Sequence, residues 1–457
     1  MSGRDMNLIE QLIQGIKTGE KKFNEALARA KEGYKVFGCV EKHLCITCTG
    51  QSLKKGTSEL TLGDNIDYMT QLLSDGYSKS FKLIYIDPPF FTKAKYNATV
   101  TIKDKEGKKK HVRHLAYDDR FDRNLRYYIE NMAVRLMLMR ELLADNGLIW
   151  VHLDWHSSHY VKVMMDYIFG ERNFVNEIIW CYKSGGSGKR HFARKHDTLL
   201  VYGKTGKYTL NVPKEKSYNR GLKPYHFKGV KEYKDANGWY TLVNMKDVWY
   251  IDMVGRTSAE RNGYATQKPI DLMNRIILAS SEEGDLVGDF FSGSGSFLEA
   301  AENHRRRWIG CDNEKIAVSM TKKRLDLKGA DYIYNSEEGN NLSFEGLDIE
   351  CISCDTLESG KLLCKYMIKN FEPDIEFGYI QLRDCEIVKE ALLNDTMQFI
   401  DYVMVDSDYN GRFSCTDIFD ENYDNITVVS KDITAFIVVD IFGKGYFIRK
   451  DNNLNEI

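Results

Sequence analysis

The 457-residue sequence predicts an α/β fold: a mostly parallel sheet with helices on both faces, an inserted region, and a small acidic C-terminal α/β domain. Three observations predict it. Short apolar runs alternate with helical periodicity and carry no hairpin turn signals, which is the pattern of parallel strands linked by helices. That alternation breaks from Lys183 to about Gly263, a Lys-, Tyr- and Gly-rich stretch with weak periodicity. The charge changes sign at Asp331.

Composition narrows the class. With 43% hydrophobic and 28% charged residues the chain resembles a soluble globular enzyme and is not disordered throughout. Six prolines against 35 glycines exclude a collagen-like chain. No apolar run approaches the ~18 residues needed to span a bilayer. Met1 to Glu20 has no signal-peptide core, so the expected location is cytoplasmic. Ten cysteines are too sparse for a disulfide scaffold, and reduced thiols are expected. The net charge of −2 hides an asymmetry. Residues 331–457 hold 10 Lys and Arg against 26 Asp and Glu, a net of −16, which leaves residues 1–330 at +14. Within that part, Lys183 to Lys234 holds 14 cations and 3 anions. A basic body of this kind implies a polyanionic partner.

The elements follow in order. Residues 1–56 read as a helical extension, with helix formers from Phe23 to Ala30. Leu60-Thr61-Leu62-Gly63-Asp64-Asn65 reads as a strand and turn leading into a helix through Met69 and Leu73. Phe81 to Ile86 is a β-rich run that must leave the sheet at Asp87-Pro88-Pro89-Phe90, because two prolines cannot continue a ladder. Tyr127 to Leu143 is a helix, Gly147 to Leu153 a buried strand and Val161 to Ile168 a helix, so the first half of the sheet spans 57–182. Residues 183–263 form the insertion. The alternation resumes over 264–330: helix Ile270 to Ala279, strand Asp285 to Asp289, helix Phe297 to His304, strand Arg307 to Cys311 and helix Ile316 to Leu327. Residues 331–457 form the separate acidic domain, with strand-like runs Ile426 to Val429 and Thr434 to Val439.

Two constellations carry chemistry. Asp289-Phe290-Phe291-Ser292-Gly293-Ser294-Gly295-Ser296-Phe297 lies between a strand and a helix, where glycines let backbone approach a ligand and a helix N-terminus offers free N–H groups. An acid about 20 residues on is the expected partner for ribose hydroxyls; Asp312 stands 23 residues after Asp289. Together they indicate a nucleoside cofactor site. Asp87-Pro88-Pro89-Phe90 ends a strand at the edge where ligands bind in such sheets. Its parts suit methyl transfer to an exocyclic amine. A carboxylate and a carbonyl, each accepting one N–H, would free a lone pair otherwise delocalised into the base ring. Prolines would fix that carbonyl and Phe90 would offer a stacking face.

Jointly these residues resemble the amino-methylating DNA methyltransferases in the permuted, β-class arrangement. The resemblance runs from about Leu60 to Leu327 and includes Leu62-Gly63-Asp64-Asn65, Ile84 to Phe90, Tyr264-Ala265-Thr266-Gln267-Lys268-Pro269, Asp289 to Phe297 and Ile309-Gly310-Cys311-Asp312. Phe169 to Phe174, Ile179-Trp180 and His196-Asp197 are similar to modification subunits of type III restriction-modification systems. The resemblance implies a Rossmann-like methyltransferase sheet, S-adenosylmethionine as cofactor and double-stranded DNA as substrate, with the target base flipped out. It implies catalytic roles for Asp87, Pro88, Pro89 and Phe90. It implies cofactor contacts from Asp64, Thr266, Gln267, Lys268, Asp289, Phe291, Gly293, Ser294, Gly295 and Asp312, and target recognition by 183–263. Asp at the head of the Pro-Pro motif favours adenine N6, since cytosine-N4 members usually carry Ser. Phe90 replaces the commoner Tyr, and Phe290 a frequent Pro.

The basic segments then become DNA contacts: Lys108, Lys109, Lys110 and Arg113 in a loop after the catalytic turn, and Lys189, Arg190, Arg194 and Lys195 in the insertion. Cytosine-N4 methylation stays open, as does a recognition or modification subunit of a restriction or defence complex, with a helicase-nuclease or a second copy of the chain as partner. No metal is expected. Cys45-x-x-Cys48 and Cys351-x-x-Cys354 lie far apart in the chain, and the cluster of His152, Asp154, His156 and His159 reads as solvated or DNA-facing.

Overall fold

The structure, a computed structural model, describes residues 6–43, 57–104, 106–119, 124–186, 189–255, 257–337, 342–343 and 345–452. Cys45, Cys48 and Lys105 lie outside them. Helix α1 (Leu8–Lys31) opens with a capping box between Asn7 and Glu10. Strands β1 (Gly38–His43) and β2 (Ser58–Leu62) follow, then α2 (Asn65–Ser74) and β3 (Phe81–Ile86). A hairpin of β4 (Lys95–Lys103) and β5 (Lys109–Asp118) precedes α3 (Leu125–Leu142), β6 (Leu143–Leu153) and α4 (Ser158–Phe169). Next come β7 (Phe174–Cys181), β8 (His196–Gly203), β9 (Lys214–Tyr218), β10 (Glu232–Asp235), β11 (Gly238–Asn244) and β12 (Val248–Tyr250). The second half adds α5 (Ile270–Ser280), β13 (Leu286–Asp289), α6 (Ser296–Asn303), β14 (Arg307–Asp312), α7 (Lys315–Asp326) and β15 (Tyr332–Ser336). The tail adds β16 (Leu342–Ser343), β17 (Leu347–Thr356), β18 (Leu362–Phe371), α8 (Cys385–Asn394), β19 (Ile400–Asp406) and β20 (Ser414–Cys415). It ends in β21 (Asp417–Phe419), β22 (Ile426–Ser430), β23 (Ile433–Asp440) and β24 (Gly445–Asp451).

An eleven-stranded sheet runs β12-β7-β8-β6-β3-β13-β14-β2-β15-β1-β20. Its centre is parallel, and both faces are covered. Ile84, Ile86, Ile149 and Val151 pack against apolar side chains of α1 to α4. Leu83, Tyr85, Leu148 and Trp150 pack against α5 to α7. Strands buried on both faces read as continuous apolar runs, which is why β3 and β6 were legible in the sequence.

Several boundaries differ from the sequence expectation. Gly38–His43 is a strand antiparallel to β15, so the N-terminal extension is not helix alone. The basic stretch after Phe90 is a hairpin, not a loop: Ala98, Val100, Ile102, Val112 and Ala116 point inward, while Thr99, Thr101, Lys103, His111 and Arg113 alternate with them. Its cationic composition masked a period of two. β8 and β12 lie within 183–263 yet belong to the main sheet, β8 antiparallel to both β6 and β7. Within 183–263, the three-stranded sheet β10-β11-β9 stands apart from it. β15 pairs in parallel with β2, so the main sheet runs past residue 330.

The acidic tail is mainly β, in sheets of order β16-β24-β23-β19-β21 and β17-β18-β22. It is not separate from the body. Its apolar residues share one core with the hairpin, Tyr264, Ile316 and Ala317. Cys354 and Cys364, opposite each other on β17 and β18, form a disulfide, contrary to the expected reduced thiols. The antiparallel register brings their Cα atoms to 4.1 Å, and sequence spacing alone does not reveal that approach. Among the described residues no helix is long and apolar enough to cross a membrane.

Candidate active site

β3 and β13 lie side by side in parallel, Leu83 opposite Val287 and Ile84 opposite Gly288. From β3 the sheet extends to β6 on one side, and from β13 to β14 on the other, so the strand order reverses between them. A crevice opens at the carboxyl ends of strands at such a switch point. Asp87 and the glycine-rich loop, some 200 residues apart in sequence, therefore line one cavity of about 90 Å³, with Asp289, Gly293 and Asp312. A second cavity of about 290 Å³ shares Pro89, Tyr117, Phe291, Asp312, Asn313 and Glu314 and continues past Asp64 and Arg135.

Asp87 divides its carboxylate between two tasks. Oδ2 accepts from the Lys268 ammonium in an ion pair. Oδ1 is buried and has no partner among the described residues. An acceptor left bare in a cavity costs free energy unless something donates to it. Chain exit from the motif is strained and then clamped. Phe91 has φ +62°, and Asp119 accepts from the N–H groups of Phe91 (2.9 Å) and Thr92 (2.8 Å) and from the Thr92 hydroxyl (2.7 Å).

Phe90 lies near-parallel to His152, with centroids 6.0 Å apart, and the Lys268 ammonium is 5.6 Å from its ring. His152 is fully buried, which corrects its expected solvated role. Its ring nitrogens contact the Tyr85 hydroxyl at 3.0 Å and Asp197 Oδ2 at 3.1 Å, while Tyr182 donates to Asp197 Oδ1 at 3.0 Å. Burial alone would raise the Asp197 carboxyl, but the His152 hydrogen bond and charge, then Lys268 and Tyr182, hold it below the usual range. His152 thus backs Phe90 with an aromatic plate fixed at both edges.

The glycine-rich loop is held from several sides. Asp289 Oδ1 accepts from Phe291 N–H at 3.0 Å; Asp312 accepts from Gly293 N–H at 2.8 Å and Glu314 N–H at 3.0 Å; and Thr321 Oγ1 donates to the Gly293 carbonyl at 2.9 Å. Gly293 and Gly295 take left-handed φ of +49° and +76°. Burial raises the carboxyls of both Asp289 and Asp312. Ser292 Oγ is buried without a partner among the described residues, Ser294 is buried, and Ser296 Oγ accepts from Arg324 at 3.1 Å. Asp64 caps α2 through Ile66 N–H at 2.7 Å and meets Arg135 at 3.2 Å. Arg135 also donates to Asn65 at 2.6 Å, and Asn65 donates to the Phe290 carbonyl at 2.7 Å, tying this corner to the loop.

In the Tyr264–Pro269 segment, Lys268 reaches Asp87. Gln267 lines the cavity but spends its amide on its own turn, donating to the Glu260 carbonyl at 2.7 Å and accepting from Asn262 N–H at 3.0 Å. Thr266 lines the same cavity.

The expected DNA contacts divide. Arg113 is turned to the tail, its N–H donating to Asp384 at 3.0 Å and its guanidinium to Gln381 at 3.4 Å. Lys195 donates to the carbonyls of Ser184 and Gly185 at 2.6 and 2.9 Å. Internal acceptors thus engage both cations in this structure. Lys108 and Lys110 pair with Glu106 (2.6 Å) and Asp104 (3.3 Å) across the hairpin turn. Lys109, Lys189 and Arg190 are exposed, and Arg194 stacks over Trp155 at 3.9 Å.

Arg135, Asn65, His152, Asp197 and Glu314 were not among the expected site residues. A single cation at Arg135 on the otherwise apolar stretch Met132 to Met139 was the legible signal for the first. The His152–Asp197 pair forms only when β6 meets β8.

Glu314 lines both cavities. Burial, then the Asp312 charge, pushes its carboxyl from 4.5 to about 7. The native state then holds a proton that the unfolded chain has released, and stability falls as pH rises through that window. Glu314→Gln is expected to flatten this decline. Denaturation midpoints across the window check it, and an unchanged slope would assign the titration to another group.

Residues 81–323 match the family model described as DNA methylase. Over 337 residues the chain is 31% identical to the Type II methyltransferase M.EcaI of Enterobacter cloacae, covering 60% of this chain and 71% of the relative. It is 28% identical over 270 residues to the Type II methyltransferase M2.LlaDCHI of Lactococcus lactis subsp. cremoris, covering 57% of this chain and 88% of the relative. A crystal structure of an M1.HpyAVI–SAM complex superposes with a TM-score of 0.38 at 18% identity, over 58% of this chain and 98% of that one.

Proposed function

The chain belongs to the N6/N4 DNA methylase family, and from that premise we propose that it transfers methyl from S-adenosylmethionine to adenine N6 in double-stranded DNA. The observation that carries the reading is the buried Asp87 Oδ1, without a partner among the described residues, beside the glycine-rich loop. Such an atom fits an N–H donor brought by substrate.

The residues present fit the methyl donor. Two adjoining cavities of about 90 and 290 Å³ together reach the size of a cofactor site. Asp312 and Glu314 offer acceptors for ribose hydroxyls, Asp64 and Arg135 bound the far end, and the left-handed loop Gly293–Gly295 leaves room beside Asp87. When bound, S-adenosylmethionine supplies an electrophilic methyl group on a sulfonium.

The chain's own residues do the rest. Lys268 holds Asp87 by Oδ2 in an ion pair. Oδ1 accepts one amine hydrogen, and the carbonyl of Asp87 or Pro88 accepts the other. These bonds localise the nitrogen lone pair for an in-line displacement without a covalent enzyme intermediate. Phe90, backed by His152, stacks the extruded base, and the proton released by the amine leaves by way of Asp87. Asp at this position supports adenine over cytosine. The catalytic motif precedes the glycine loop in the chain, which supports the permuted arrangement. The sheet β9–β11, standing off the main sheet with its lysines, suits target recognition.

Incubation with labelled donor and duplex DNA, followed by nucleoside mass spectrometry, is expected to yield N6-methyladenine. N4-methylcytosine would replace the adenine assignment, and unlabelled DNA would remove the activity.

A further inference from the structure

The ends of β7 and β8 that their connection joins lie at the sheet edge that carries Asp87. Ile86 of β3 lies opposite Val151 of β6, Leu153 of β6 opposite Thr198 of β8, and Cys181 of β7 opposite His196 of β8. Its foot is pinned beside the stacking plate. Tyr182 N–H donates to the Lys195 carbonyl at 3.1 Å, and the Tyr182 hydroxyl reaches Asp197, which holds His152 against Phe90. Arg194 is braced on Trp155.

Above this fixed foot, Phe192 is 98% exposed. Tyr250, 80% exposed at the neighbouring strand end, has a hydroxyl that water satisfies; the phenyl ring of Phe192 has none. Exposed Lys189 and Arg190 precede it and Arg194 follows it. A phenyl ring held in water between cations matches a polyanion with stacked rings, which offers it apolar contact and the cations phosphate.

We propose that Phe192 is the wedge that enters the base stack and fills the space left when the target base turns out onto Phe90. This rests on reading the chain as a duplex-DNA methylase. Extrusion leaves an unpaired nucleotide and a gap in the stack, and a ring of this size restores stacking with its neighbours. The flanking cations hold phosphates on either side of the gap. Phe192 is a positioning residue: it acts on the duplex around the target base and not on the reacting atoms.

The test uses the full chain and a duplex bearing the site found by mapping modified bases in cells that express it. Phe192→Ala is expected to lower kcat/KM about tenfold or more on the paired duplex, and to recover to within about threefold of wild type when the nucleotide opposite the target is abasic. Phe192→Leu keeps an apolar plug and is expected to stay within about threefold of wild type on both. Wild-type rates for Phe192→Ala on the paired duplex would overturn the proposal. So would equal losses on both duplexes with donor binding unchanged by calorimetry. A wild-type chain that methylates neither duplex would count against the methylase reading itself.

Discussion

Asp87→Asn is expected to lower the methylation rate by about 10²–10³-fold, equivalent to ~3–4 kcal/mol of transition-state stabilisation. Asparagine keeps the size of the side chain and one carbonyl acceptor, so the cavity is not emptied. What goes is the negative charge that grows in value as the amine becomes cationic. Lys268 loses its partner as well, and an unpaired ammonium beside the amine opposes the same charge. Donor affinity is expected to stay within about threefold, because among the described residues Asp312, Glu314 and the glycine loop do not hydrogen-bond to Asp87. Single-turnover methylation beside donor titration separates the two. Parallel losses of rate and donor affinity would make Asp87 a wall of the donor cavity and not the amine's acceptor.

Gly295→Ala is expected to destabilise the fold by about 2–4 kcal/mol and to weaken donor binding with it. Two costs add. The residue sits at φ +76°, where a side chain is strained. A Cβ there would also lie 2.7 Å from Thr321 Cγ2 and 2.8 Å from Thr321 Oγ1. Thr321 cannot retreat freely, because its hydroxyl donates to the Gly293 carbonyl and shapes the loop. Relief therefore moves Gly293, whose N–H is bound to Asp312. Chemical denaturation reads the first effect and donor titration the second. A stable variant that binds donor normally would mean that α7 yields without disturbing the loop.

How much was legible depended on how local the signal was. β3 and β6 are buried on both faces, so each announced itself as an apolar run. The left-handed loop announced itself by glycine spacing, because few other residues tolerate those angles. β8 was equally apolar but lay among lysines, and composition hid it. β1 and β15 sit at the sheet's far side, where pairing is decided between distant strands and no pattern within either strand names its partners. Arg113 and Lys195 looked like free cations, and only the tail's Asp384 and Gln381 and the loop's own carbonyls showed otherwise.

The chemical parts are written in local stretches of chain: an acid before two prolines, a glycine-rich turn, an acid beyond it, a basic body and an acidic tail. Each is a property of neighbouring residues, governed by backbone sterics and charge. Tertiary structure decided which parts meet. It set β3 beside β13, gave Asp87 to Lys268, slid His152 and Asp197 behind Phe90, and seated the tail on the hairpin. Those pairings join residues tens to hundreds of positions apart, and their free energy comes from removing shared surface from water, which no short window of sequence encodes.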